Sequence, residues 1–178
     1  MNDTRPITTV LLDVGGVMAP DPWETLWLTP ERGLAYKLGL AINLVAATGP
    51  MLFEQFSEAV FTESAYWKAW EAHLRITISP VLIQEAEREL LIPNPYLLTF
   101  LTQLKKYRMR IGITSNNTSF WYPKQVNEQI LSDFIDPSLI FLSQELGASK
   151  VIGKPDLYEL AARTTIPSQT LVIDDRQG

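Results

Sequence analysis

Four short apolar runs, rich in β-formers and each separated from the next by helical sequence, constrain this chain more than any other feature. Thr8–Asp13 reads T-T-V-L-L-D and runs directly into Gly15-Gly16, and Met109–Thr114 runs into Ser115-Asn116-Asn117. Leu139–Leu142 is the third run, and Thr170–Ile173 ends in Asp174-Asp175. Runs of this length bounded by turn residues suit strands buried on both faces. Strands alternating with helices imply parallel pairing and right-handed crossovers. The expected fold is therefore α/β, built on a Rossmann-like parallel sheet.

No comparable run occurs between about residues 20 and 92. Phe53, Phe56, Val60, Phe61, Trp67 and Trp70 recur there at three- and four-residue spacing, the period of helices with one buried face. Breaks are expected at Pro30, Gly49-Pro50 and Ser79-Pro80, with Ser79 as an N-cap followed by Pro80 in the first turn. The organisation read from this is a core of residues 1–19 and 93–178, carrying a small helical insertion over 20–92. Within the core, helices are expected from Asn94-Pro95 to Lys106, over about Lys124–Phe134, and over about Leu157–Thr164.

Composition removes several function classes. The 178 residues suit one α/β domain or a small domain with an insertion. Net charge is -5 and the pI about 4.9, without the basic stripe of a nucleic-acid binder. Lys105, Lys106, Arg108 and Arg110 read as a solvated helix end. No cysteine is present, which excludes disulfides, thiolate catalysis and zinc–thiolate sites. His73, the single histidine, sits in a helical stretch and reads as packed or half-exposed. The longest apolar stretch, Leu38–Met51, is interrupted by Asn43, Thr48, Gly49 and Pro50 and is too short to span a membrane. With no secretory leader pattern, the expected location is cytoplasmic. A small-molecule partner is expected, with no nucleic acid and no membrane, and the oligomeric state is left open.

The polar residues gather in one place. Asp13, Ser115 and the Asp174-Asp175 pair all fall just past the C-terminal ends of expected strands, where open parallel sheets bind their ligands. Lys154 starts the helix before the last of them. Singly, each is an ordinary turn or cap residue. Together they can bind a divalent cation and an anionic substrate.

In that order the motifs are LLDVGGV (Leu11–Val17), ITSN (Ile113–Asn116), GKPD (Gly153–Asp156) and LVIDD (Leu171–Asp175). This set resembles the haloacid dehalogenase (HAD) superfamily over essentially the whole chain, with the helical insertion where one class of family cap lies. The resemblance implies a strand order with the first strand between the second and fourth, and the third beyond the second. It also implies a Mg²⁺-dependent hydrolase, most simply a phosphatase of a small organic phosphate. Asp13 would be the nucleophile that forms an aspartyl intermediate. Ser115 and Asn116 would bind substrate, and Lys154 would neutralise charge, with Lys150 a nearby alternative. Mg²⁺ would be bound by Asp13, the Gly15 carbonyl and Asp175, with Asp174 a direct or water-mediated partner.

Two departures qualify this. Gly15 stands where family phosphatases carry a second aspartate that moves protons, a service typically worth roughly 10²–10⁴-fold. The chain could then be a slow phosphatase, a hydrolase of non-phosphate substrates such as a dehalogenase, or a non-catalytic binding protein. On the first reading, Gly15→Asp would raise turnover. The resemblance also implies a further helix and strand after Asp175, so the C-terminal part of the core reads as truncated. In the insertion, the aromatics read as a helical-bundle core, with Trp23 or Trp27 the candidates to line a substrate pocket. The scarcity of basic residues there favours a small or partly apolar substrate.

Overall fold

A computed structural model describes residues 6–126, 131–150 and 155–176. Its sheet contains β1 (Thr9–Leu12), β2 (Arg110–Ser115), β3 (Ile140–Leu142) and β4 (Thr170–Ile173). All pairs are parallel and the order is β3-β2-β1-β4, the order that the resemblance implied. Leu12 pairs with Ile113 on one side and Ile173 on the other, so the ends of three strands lie level. That register brings the polar residues after each strand to one edge.

The central position of β1 explains its sequence. Val10 and Leu12 pack with Leu101, Ile111 and Ile113 on one face, while Leu11 packs with Leu139, Phe141, Leu157 and Ala161 on the other. A strand covered on both faces has no solvent side to mark with polar residues. β4 differs: among the described residues it pairs only with β1, and Leu171 and Val172 are 47% and 38% exposed.

Between β1 and β2 the chain forms α1 (Pro22–Leu28), α2 (Leu34–Lys37), α3 (Ile42–Ser57), α4 (Glu63–Leu74) and α5 (Pro80–Leu90). α6 (Leu97–Lys106) precedes β2, and the short helices α7 (Tyr122–Gln125), α8 (Ser143–Leu146) and α9 (Leu157–Ala162) follow the strands. Helix α6 starts later than its sequence signal, because Asn94 spends its side chain on the Tyr96 N–H at 3.0 Å and on the Val17 carbonyl at 3.1 Å. With its own N–H on the Met18 carbonyl, Asn94 ties together the two crossings between sheet and helices.

Several local expectations fail, each for a tertiary reason. Gly49-Pro50 does not break a helix; α3 runs straight through it. An interior proline costs a helix ~3 kcal/mol, and here the burial of Val45, Leu52 and Phe56 along α3 outweighs it. Trp23 lies against the bare backbone at Gly49. Val60 and Phe61 belong to the α3–α4 connection, outside the helical repeat, and Val60 is 71% exposed. Ser79 occupies the N-cap position of α5 without a side-chain cap bond. The helix expected over Lys124–Phe134 is interrupted at Val126, whose backbone is extended.

The helical segment has its own core. Trp27, Tyr66 and Trp70 are fully buried, and the Trp27 and Trp70 rings stack at 4.2 Å between centroids. Phe120 and Trp121, in the loop after β2, complete this cluster; Trp121 lies 6.0 Å from both Tyr66 and Trp67. Lys124 reinforces the seam by pairing with Glu63 at 2.7 Å and Glu87 at 2.8 Å. The loop leaving β2 thus serves the sheet edge and the helical core together.

Candidate active site

Asp13 leaves β1 with its N–H still bonded to the Ile173 carbonyl at 2.9 Å, so the sheet ladder fixes its position. Its Oδ1 accepts the Val14 N–H at 2.7 Å and its Oδ2 lies 2.8 Å from Lys150 Nζ. The same ammonium reaches Asp174 Oδ2 at 2.6 Å, and that oxygen also accepts the Tyr158 hydroxyl at 2.7 Å. Asp174 Oδ1 accepts the Arg176 N–H at 3.0 Å. Asp13, Lys150 and Asp174 side chains are each only 13% exposed, so these charges act at close range.

The remaining expected residues fall around this centre. Ser115, at the end of β2, is 1% exposed and its Oγ is 3.5 Å from the Asn116 carbonyl. Asn116 donates to Ser149 Oγ and accepts the Lys150 N–H, both at 3.0 Å, so it holds the loop that presents Lys150. Gly15 lines the same cavity as Asp13. At Gly16 φ is +69°, and the Asp175 carboxylate occupies the space that a Cβ would need. Lys154 lies outside the described residues. His73 is exposed on α4, bonded at 3.0 Å to the Ala69 carbonyl, and does not line the cavity that holds Asp13.

Three features escaped the sequence reading. Tyr158 was an unremarked member of a helix. Asn117 donates to Gln125 at 2.9 Å, and Gln125 donates to the Pro20 carbonyl at 2.8 Å, a chain that anchors the loop after β1. Asp21 and Arg176, distant in sequence, pair at 2.6 Å. None of these has a local signature, since each depends on which strand ends become neighbours.

Burial dominates the electrostatics of Asp13 and Asp21. It raises Asp13 above the ordinary carboxylate range, against the attraction of Lys150. It raises Asp21 as well, against Arg176. Asp174 feels the same burial, but Lys150, the Arg176 N–H and the Tyr158 hydroxyl together outweigh it and hold its pKa low. Burial and the neighbouring Asp174 carboxylate keep the Tyr158 phenol protonated.

Oxygen atoms of Asp13, Asp174 and Asp175 all lie within 4.8 Å of one another. A trio of hard oxygen donors with one exposed member suits Mg²⁺, which retains waters and takes few protein ligands. The residues present therefore fit that ion. Above them is a cavity of about 390 Å³, the size of a small-molecule site. Its floor carries Asp13, Lys150 and Asp174, and Trp23, Pro50 and Phe53 contribute apolar lining. Trp23 is thus the pocket tryptophan of the two candidates. Trp27 is fully buried in the aromatic cluster and has no part in the cavity.

No protein-family model matches this chain, and no curated protein does. Solved structures do match. A HAD family enzyme from Bacteroides thetaiotaomicron, in complex with magnesium and inorganic phosphate, superposes with a TM-score of 0.68 at 19% identity, over 96% of this chain and 86% of that one. A HAD phosphatase from Thermococcus onnurineus gives 0.53 at 15% identity, over 96% of this chain and 78% of that one. An L-2-haloacid dehalogenase from Xanthobacter autotrophicus, with chloropropionic acid covalently bound, gives 0.55 at 16% identity, over 93% and 69%. Among the described residues, no helix is long and apolar enough to cross a membrane.

Proposed function

We propose that this chain, whose fold is that of the HAD family, is a Mg²⁺-dependent hydrolase of small organic phosphate esters with Asp13 as nucleophile. The observation that carries the proposal is the placement of Asp13. It is fixed by the sheet ladder, 2.8 Å from one ammonium, within one ion's reach of two further carboxylates, and open to a partly apolar cavity.

Each residue then has work to do. Asp13 attacks phosphorus and is later released by water, which divides one difficult substitution into two easier ones. Lys150, the sequence alternative to Lys154, neutralises charge on Asp13 and on the phosphoryl oxygens as they develop it. Asn116 holds the Lys150 loop in place, and Ser115 offers a hydroxyl beside the nucleophile. Asp13, Asp174, Asp175 and the Gly15 carbonyl would hold Mg²⁺, which supplies positive charge to the transferring group. Residues 20–92 act as a cap whose inner surface, through Trp23, Pro50 and Phe53, favours a small substrate with an apolar portion.

The test is a phosphatase screen in Mg²⁺ with wild type and Asp13→Asn side by side, and with 2-haloacids included. Turnover of one or more phosphate esters that disappears in the variant supports the proposal. Equal rates in the two proteins would remove it, and turnover confined to 2-haloacids would redirect it to carbon–halogen chemistry.

A further inference from the structure

Asp21 sits at the N-cap of α1, where aspartate ordinarily accepts a backbone N–H of the first turn and contributes about 1 kcal/mol. Here it makes no such bond. Its side chain turns toward the cavity and is only 16% exposed. Oδ2 is held at 2.6 Å by Arg176. Oδ1 lies over Gly15: a Cβ built on that glycine would collide with Oδ1 and stand 3.1 Å from the Asp21 carboxyl carbon. The tight loop that makes this approach is defined by Met18 and Ala19 N–H groups, both 2.9 Å from the Val14 carbonyl, and by a bridge between Gly15 and Ala19.

The other carboxylates of the cavity are differently placed. Asp13 and Asp174 share Lys150. Glu24 is half exposed and 3.6 Å from Arg176, and Glu54 lies up on α3. Asp21 combines an orientation fixed by Arg176 with an oxygen turned to the backbone two residues beyond Asp13.

We propose that Asp21 is the proton-transfer residue of this site, its carboxyl filling from the start of α1 the space that Gly15 leaves open. The inference rests on the hydrolase reading. In the first half-reaction an Asp13 oxygen forms a bond to phosphorus and the phosphorus–oxygen bond to the leaving group breaks. The protonated Asp21 carboxyl gives its proton to the departing oxygen, so the alcohol leaves neutral and Asp21 becomes a carboxylate. In the second, that carboxylate takes a proton from water as the water oxygen bonds to phosphorus. The phosphorus–Asp13 bond then breaks, and phosphate and both starting carboxyl states are restored.

The geometry also revises the effect of refilling position 15. Gly15 does not have positive φ, so strain is no obstacle, but its side-chain space is already taken by Asp21. Gly15→Asp alone would set two carboxyl groups in one volume and should not raise turnover.

The experiment compares 4-nitrophenyl, phenyl and simple alkyl phosphates in Mg²⁺, from the best leaving group to the worst. Read as kcat/KM, which reports the half-reaction up to release of the alcohol, Asp21→Asn should slow the alkyl ester by roughly 10²–10⁴-fold and the nitrophenyl ester by less than about tenfold, since a good leaving group needs no proton. Arg176→Ala, which loosens Asp21 without removing it, should give the same leaving-group dependence as Asp21→Asn in weaker form. Gly15→Asp combined with Asp21→Ala should recover about tenfold or more on the alkyl ester relative to Asp21→Ala alone, a result that removes any ambiguity if Asp21→Asn folds poorly. A uniform loss across the esters in Asp21→Asn, or an Arg176→Ala loss that falls on the nitrophenyl ester as heavily as on the alkyl ester, would overturn the assignment. Equal rates for wild type and Asp13→Asn would overturn the hydrolase reading itself, and Asp21 with it. Loss in Asp13→Asn with a flat Asp21→Asn profile would overturn Asp21 alone.

Discussion

In the aromatic cluster that joins the helical segment to the loop after β2, Trp27, Tyr66, Trp70 and Trp121 are all fully buried, and among the described residues the Trp27, Trp70 and Trp121 indole N–H groups and the Tyr66 hydroxyl make no well-aligned hydrogen bond. At the strand ends a few residues away, Asp13, Lys150, Asp174 and Asn116 each hold two or more polar contacts. The cluster gives up hydrogen bonds, each worth ~1 kcal/mol net, in exchange for aromatic side chains that bury roughly 150–250 Å² apiece. The site does the reverse, placing charges in low dielectric and fixing them through several contacts each. Stability is thus concentrated in the shape of one region, and chemistry in the bonding of the other. The loop carrying Asn116, Asn117, Phe120 and Trp121 joins the two.

The largest effect that tests this division is on the aromatic side. Trp27→Ala should cost about 3–5 kcal/mol, a fall in Tm of roughly 6–20 °C for a chain of this size. Asp13→Asn should leave Tm level or slightly higher, because it removes a carboxylate that burial disfavours. Thermal melts of the two variants decide it; a large loss in Asp13→Asn would mean that the site also carries the fold.

A middle-sized effect is expected at Gly16, on the site side of the division. Ala at φ +69° costs roughly 1–2 kcal/mol, and its Cβ would displace the Asp175 carboxylate. Mg²⁺ should raise the Tm of the wild type by drawing the three carboxylates together, and Gly16→Ala should lose most of that rise. Melts with and without EDTA read this directly, and an unchanged Mg²⁺ response would remove Asp175 from the ion site.

The smallest effect belongs to the seam. Glu63 is raised by burial, but Lys124 and Trp67 outweigh that and hold its pKa low. A lowered folded-state pKa stabilises above the unfolded-state value, and the contribution is lost as pH falls through the folded value. Glu63→Gln should therefore cost about 0.5–1 kcal/mol at pH 7, and the difference should close below about pH 4. Denaturant titrations at the two pH values measure it. A gap that persists in acid would assign the effect to packing against Trp67.

The four strands were legible because their signal is local: apolar runs of four to six residues, each followed by Asp or Ser, reach the correct sheet to within a residue at each end. The Gly49-Pro50 break was misread for the converse reason. Helix propensity is a small local energy, and the buried face of α3 lies against α1 and α4, far from those two residues in the chain.

The sequence by itself determined the α/β class, the parallel sheet, and the delivery of Asp13, Ser115 and Asp174-Asp175 to one edge, since each follows from period, turn residues and chain order. Only the tertiary structure decided that Lys150 lies between Asp13 and Asp174, that Trp23 faces the cavity while Trp27 is sealed in the cluster, and that Asp21 stands over Gly15. Those facts depend on side-chain distances of a few ångströms between segments up to 161 residues apart, from Asp13 to Asp174. No spacing along the chain encodes such distances, because they are set when every packed face settles against its neighbours at once.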